Sequence, residues 1–521
     1  MDEQHKRLVF TDMAYGGDAV GRDPESGVAV FAWPGITGED ATVSITQRGK
    51  NLLRGVVTEL HTLSPSRTTP PCPYFGSCGG CQWQHISYEA QVEFKHNILR
   101  SQLQRSAGIA DPDAVLRPPL GSPNSYNYRN TSHFSIDPVT KSLGYFRRDS
   151  HEVIPVLECP ISAAGINQAI PAVNSMLADA LDPAVLVAET RGAMRVWKVS
   201  IRTSETTGQT VVVFHSKAGG RSEPRPGRGA RRQNYHPVQR PDIGPDMDAQ
   251  PDANPVVVLS RRNVRHAIGA LSRPASGEPI PLLVVEVMDD GTVNRLGETR
   301  SSSSAASEAI ADTLSGVSLA GSLARSTGAG GAPLGAWIER LGGFTYWVGP
   351  ESFFQVNTPA AELLLAEVAA HLPEKVGMLV DAHAGVGTFA LAFAKRAKRI
   401  IGFEMDSGAV SSARWTAHAH NAENIEFRQG KAEALIRTLS EAETPDAVIL
   451  DPPRAGCHPN LLNEIARRKV PQIIYVSCDP STLARDIKLL APNYTLTSAR
   501  MIDMFPQTYH LETVAVLGRN A

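Results

Sequence analysis

The chain has 521 residues, too many for a single hydrophobic core, and two to four domains are expected. Its 42% apolar and 20% charged residues describe an ordinary globular protein, and the lack of any run of about 18 apolar residues argues against a membrane-spanning helix. A net charge of −2 decides nothing about nucleic acid, which is bound by local patches, and six cysteines are too few for a disulfide scaffold.

The first seven residues, Met1 to Arg7, are charged with no apolar stretch behind them, which speaks against a signal peptide and for a cytoplasmic protein. Residues 8–60 read as short strands broken by turns, with Gly16, Gly17 and Gly21 in the first of these turns. That spacing predicts a small OB-like β-barrel, taken as residues 1–65. Pro70 and Pro71 mark a linker. Cys72, Cys78 and Cys81 follow with C-x5-C-x2-C spacing in a loop whose glycines permit close approach of the backbone. A four-ligand site needs one more thiol, and Cys159 is the other cysteine upstream of the last domain. Four cysteines hold structural zinc or an iron–sulfur cluster, and spacing does not choose between them.

Residues 82–107 read as a helix with Tyr88, Val92, Lys95, Ile98, Leu99 and Leu103 near one face. Residues 110–345 read as mainly β, interrupted by an Arg/Pro/Gly-rich insertion at 219–240 and a Ser/Ala/Gly-rich one at 301–333. The domain plan is then a cysteine-site region over 66–165, a central β-rich domain over 166–345 and a last domain over 346–521. In the last domain strand and helix signals alternate, which predicts a doubly wound parallel sheet of Rossmann-like type.

Open sheets of this kind keep their ligands at the carboxyl ends of the strands. Gly385 and Gly387 join one such strand to a helix and let the backbone approach a ligand; Glu404 ends the next strand, where a carboxylate can accept from both ribose hydroxyls. This much fits NAD as well as S-adenosylmethionine. Asp451-Pro452-Pro453-Arg454 follows another strand. Hydride transfer has no use for that corner, and amine methylation normally places an aromatic residue where Arg454 stands, which leaves methylation of a ring carbon with help from a thiol. Cys478 ends the strand over 472–478 and is the expected nucleophile; Cys457, in a Gly-flanked loop, is a weaker rival. Addition of a thiolate to C6 of a uracil makes C5 enolate-like, and a base must then remove the C5 proton; Glu512, which opens the last strand, is the expected base.

Ser352-Phe353-Phe354-Gln355-Val356-Asn357, the Gly385/Gly387 loop, Asp451 to Gly456, Val476 to Pro480 and His510-Leu511-Glu512 together closely resemble the RNA uracil-C5 methyltransferases, in their iron–sulfur-containing branch. The resemblance implies a TRAM barrel in front and a [4Fe–4S] cluster on Cys72, Cys78, Cys81 and Cys159. It also implies S-adenosylmethionine contacts from Gln355, His383, Glu404 and Asp451, a Cys478 nucleophile, a Glu512 base and an RNA partner. His383 and Ala384 depart from it, since the family usually has an aromatic ring and a cysteine there. That departure is the one support for a competing reading, a non-catalytic RNA-binding iron–sulfur protein; a methyltransferase for cytosine or a small molecule is the other. Which RNA, which uridine and what oligomeric state, a monomer being the default, are not written in the sequence.

Overall fold

The computed structural model describes residues 5–180, 193–217, 257–260, 264–265, 267–268, 282–289, 292–298 and 332–520. The expected insertion at 219–240 lies outside these residues, as does that at 301–333 apart from its last two positions.

Near the amino end, β1 (His5–Met13), β2 (Ala19–Arg22), β3 (Ala29–Trp33), β4 (Asp40–Arg48) and β5 (Leu52–Thr62) close into a barrel in the order β1-β2-β3-β5-β4. Alternation drives the closure: Ala41, Val43 and Ile45 of β4 face Leu8 and Phe10 of β1 and Val30 and Ala32 of β3 across one interior. Irregularities between β4 and β5 give the bend that a five-stranded barrel needs.

The helix expected from residue 82 begins at Tyr88 and runs to Arg105. The six residues before it are held elsewhere: the N–H groups of Gln82 and Trp83 both donate to the Gln507 carbonyl, at 3.1 and 3.0 Å. Its buried face carries Gln91 and Lys95 beside Ile98, Leu99 and Leu103. These polar groups meet the last domain, where Lys95 Nζ donates to Asp503 at 2.7 Å and Gln91 exchanges hydrogen bonds with Gln507.

The central sheet holds β6 (Thr131–Ile136), β7 (Leu143–Phe146), β8 (Val153–Pro155), β9 (Ala193–Thr203), β10 (Thr210–Lys217), β11 (Val257–Ser260), β12 (Leu282–Met288) and β13 (Val293–Glu298). A helix over Ala164–Ala180 covers it and buries Ile166, Ile170, Val173 and Leu177 against the sheet, so this region is less purely β than its composition suggests. A hairpin of β14 (Trp337–Leu341) and β15 (Phe344–Val348) leads into the last domain.

There, β16 (Val376–Ala382), β17 (Ala397–Glu404), β18 (Ile425–Gln429), β19 (Ala447–Leu450), β20 (Gln472–Ser477), β21 (Tyr494–Ile502) and β22 (Glu512–Arg519) pair in the order β18-β17-β16-β19-β20-β22-β21. Five strands are parallel, as expected, but β22 lies antiparallel between β20 and β21. The segment joining β21 to β22 is too short for the crossover of a dozen or more residues that a parallel pair requires. Helices cover both faces. Thr358–His371, Thr388–Ala392 and Ser407–Ala419 pack on one; Pro459–Arg467, Pro480–Leu490 and the helix Tyr88–Arg105 pack on the other. Among the described residues no helix is long and apolar enough to cross a membrane.

Candidate active site

Register brings the expected residues to one edge. Ala382 pairs with Phe403 on one side and Leu450 on the other, Leu450 with Tyr475, and Ser477 with Thr513. The residues that follow these, His383, Glu404, Asp451 and Cys478, therefore leave neighbouring strands at the same end. Antiparallel β22 starts where the others finish, so Glu512 joins them.

Gly385 and Gly387 have φ of +53° and +86°, in the left-handed region. At Gly387 a Cβ would also come within 2.7 Å of the Phe427 ring, whereas at Gly385 it would meet open space. The turn is fastened from below: Gly385 N–H donates to Glu404 Oε2 at 2.9 Å and Asp406 N–H to Glu404 Oε1 at 2.7 Å. Glu404 is thus oriented, with lone pairs to spare for a ligand. Asp381 escaped sequence reasoning, although a lone carboxylate in an apolar strand was a signal. It is fully buried, accepts from Ala390 N–H at 3.0 Å, and leaves Oδ1 without a partner. Burial pushes its carboxyl up to about 8, with the neighbouring Asp451 adding to the effect. His383 has φ +80°, stands half-buried, and its Nδ1 is unpartnered. Burial lowers its pKa, which keeps the imidazole neutral at pH 7.

Cys478 is half-buried between β20 and the helix Pro480–Leu490, which Asp479 caps by accepting from the N–H groups of Ser481 and Thr482. Burial holds the thiol well above its ordinary range; the charges of Glu512 and Asp451 push it further up and that of Arg454 pulls it down. The charges of these three side chains therefore act on the sulfur. Glu512 is buried, with Oε1 unpartnered, and its carboxyl is held far above the usual range by burial and by Asp451. Burial brings Asp451 up to about 7. Cys457 lies elsewhere: it is only 2% exposed, behind Tyr475 and Asp486, and burial pushes its thiol up to about 12. Arg454 also reaches His510, Nη2 to Nε2 at 3.3 Å.

Gln355 lies in the segment entering the helix Thr358–His371, and the central sheet grips that segment. Asn130 donates to the Gln355 carbonyl at 2.9 Å, and the buried Arg202 guanidinium to the Ser352 carbonyl at 2.8 Å. Asn357, fully buried, caps the helix through Ala360 N–H at 3.2 Å.

The four remaining cysteines are unpaired and half-buried where three parts of the molecule meet. Their loop joins the central sheet through Gly79 N–H to the Phe146 carbonyl, 3.0 Å, and the barrel through Trp33 Nε1 to the Gln82 carbonyl, 3.0 Å. The thiols are in electrostatic contact: burial first, then Cys159 and Cys72, raise Cys78 to about 11. Donors face the sulfurs as well, Gly80 N–H on Cys78 Sγ at 3.4 Å and the N–H groups of Tyr74 and Phe75 on Cys72. Among the described residues, however, no three His, Cys, Asp or Glu side chains stand close enough to hold a single metal ion.

A mixed sheet of this order with a glycine turn and carboxylates at its carboxyl edge is a Rossmann-like domain. The crystal structure of Pyrococcus abyssi tRNA (uracil-54, C5)-methyltransferase with S-adenosyl-L-homocysteine shares the fold, with a TM-score of 0.61 at 23% identity over 98% of this chain and 99% of that one. Residues 342–520 match the family model of the tRNA (uracil-5-)-methyltransferases. Proteins named as uncharacterized RNA methyltransferases align along nearly the whole chain. The one from Listeria innocua is 28% identical over 98% of this chain and 97% of its own, and the one from Nitratidesulfovibrio vulgaris 29% over 97% and 94%.

Proposed function

We propose that this protein methylates C5 of a uridine in RNA, with S-adenosylmethionine as donor and Cys478 as covalent nucleophile. The observation that carries the reading is one half-buried thiol set against Glu512 and Asp451 on the edge that also bears Gly385 and Glu404. Gln355, His383, Glu404, Asp451, Gly385 and Gly387 would line the donor site, with Glu404 on the ribose and the glycine turn beneath the methionine part. The donor supplies an electrophilic methyl on a sulfonium. Cys478, having lost its proton to the carboxylate pair, adds to C6 of the ring, and C5 takes the methyl. Glu512 then removes the C5 proton, the C6–S bond breaks, and the thiolate returns. Burial and the neighbouring Asp451 raise the Glu512 carboxyl, which makes its ionised form a stronger base.

The partner in this reading is RNA, bound through the barrel (TRAM-like, residues 1–65) and a flipped base. Cys72, Cys78, Cys81 and Cys159, by the resemblance in the sequence, would hold a [4Fe–4S] cluster; the N–H groups aimed at Cys78 and Cys72 support thiolate ligands there. Its role in this reading is structural, since the methyl-transfer chemistry does not need it.

Nucleoside mass spectrometry of RNA incubated with enzyme and donor tests the proposal. Wild type should form 5-methyluridine, Cys478→Ala should lose at least about 10³-fold in rate, and Glu512→Gln should accumulate a methyl-dependent protein–RNA adduct. Full activity in Cys478→Ala ends the mechanism, and 5-methylcytidine as product ends the substrate assignment.

A further inference from the structure

The barrel does not stop short of the candidate active site. Between β1 and β2 its chain turns through Ala14 to Asp18, and Tyr15 crosses to the last domain, with its hydroxyl 3.4 Å from the Cys478 carbonyl and 3.3 Å from Asp479 Oδ2. The turn is fixed from two directions. Trp83 Nε1 donates to the Gly17 carbonyl at 2.9 Å, and the Tyr15 ring stands edge-on to Tyr509 with centroids 5.4 Å apart. Gly17, at φ +98°, has no room for a side chain, since a Cβ there would meet Gln82 at 3.1 Å and Tyr509 at 3.3 Å. Asp479 spends Oδ1 on the helix cap, so Oδ2 is the oxygen left facing Tyr15.

We propose that Tyr15 is a positioning residue for the nucleophile, holding the Cys478–Asp479 corner and offsetting the Asp479 charge next to the sulfur. The inference rests on the assignment of Cys478 as nucleophile and adds to it that the barrel completes the thiol's surroundings. The groups that face Cys478 are Glu512 from β22, Asp451 and Arg454 from the loop after β19, Asp479 beside it, and Tyr15 from the barrel. Arg454 favours the thiolate and the carboxylates oppose it. A hydroxyl donating to Asp479 weakens one of those carboxylates. Burial first, then the Asp479 charge, keeps the Tyr15 phenol protonated, so it remains a donor throughout the working range.

Iodoacetamide alkylation of Cys478 in the full-length protein, followed across pH by mass spectrometry of its peptide, reads the thiol without requiring methyl transfer. Tyr15→Phe keeps the ring and removes the donor. Its alkylation midpoint should move to higher pH and its rate at neutral pH fall roughly two- to fivefold. In an Asp479→Asn background, where the charge is gone, Tyr15→Phe should leave the midpoint in place. An unchanged midpoint in the single variant, or an equal shift in both backgrounds, overturns the proposal, including when the melting temperature falls. Methyl-transfer kinetics run beside it should show a lower kcat with KM for RNA unchanged. A wild-type protein inactive on RNA would defeat the proposed function while the alkylation result still judged Tyr15.

Discussion

Asp451 shows what burial does to a charge at this edge. Its carboxyl stands near 7 where an ordinary aspartate has 3.8, so the folded protein binds that proton more tightly than the unfolded chain. The stabilisation this gives is complete below 3.8 and is lost as pH rises through 7, where the fold must bury a charge. Asp451→Asn should therefore raise the melting temperature at about pH 8, by roughly 2–4 °C for a gain near 1 kcal/mol, and the gain should vanish towards pH 4. An equal gain at both ends of the range would show that proton binding is not the cause. At this scale the sequence was readable wherever a residue type sat at a strand end, as with Glu404, Asp451 and Cys478. Tyr15 was not readable, because its importance comes from what it reaches 463 residues away.

The glycine turn is the element on which ligand approach depends. Gly387 combines a left-handed φ with a backbone seated against Phe427, so Gly387→Ala should cost about 1–2 kcal/mol in conformation alone. It should also abolish S-adenosylmethionine binding in calorimetry, whereas Gly385→Ala, which meets no neighbour, should lose less. Equal affinities would remove the steric account. Among elements, periodicity located the strands of the last domain because buried parallel strands are continuous apolar runs. It carried no information on direction, and the antiparallel β22 went unseen. The helix Ala164–Ala180 was legible in its apolar positions 166, 170, 173 and 177, but Pro171 inside it disguised the pattern. Residues 82–87 extended the helical pattern of their neighbours, yet the N–H groups of Gln82 and Trp83 went to the distant Gln507 carbonyl, a tertiary choice that no local period records.

Across the whole molecule, the cysteine loop is where barrel, central sheet and last domain are tied, with the Arg148 guanidinium lying 4.1 Å from the Trp33 ring at the same junction. Cys81→Ser, prepared anaerobically, should lose most of its iron and sulfide and melt at lower temperature; iron-free wild type would dismiss the cluster. The helix Tyr88–Arg105 bears on assembly in another way. It puts Lys95 and Gln91 on its inward side, and their partners Asp503 and Gln507 lie 408 and 416 residues further on. During synthesis the ribosome thus releases an ammonium group with nowhere dry to go until the final stretch of polypeptide arrives. An amino-terminal half made by itself must keep that surface wet and loosely folded. Two halves expressed as separate fragments would each be poor proteins, and would recover a native interior only by docking upon one another.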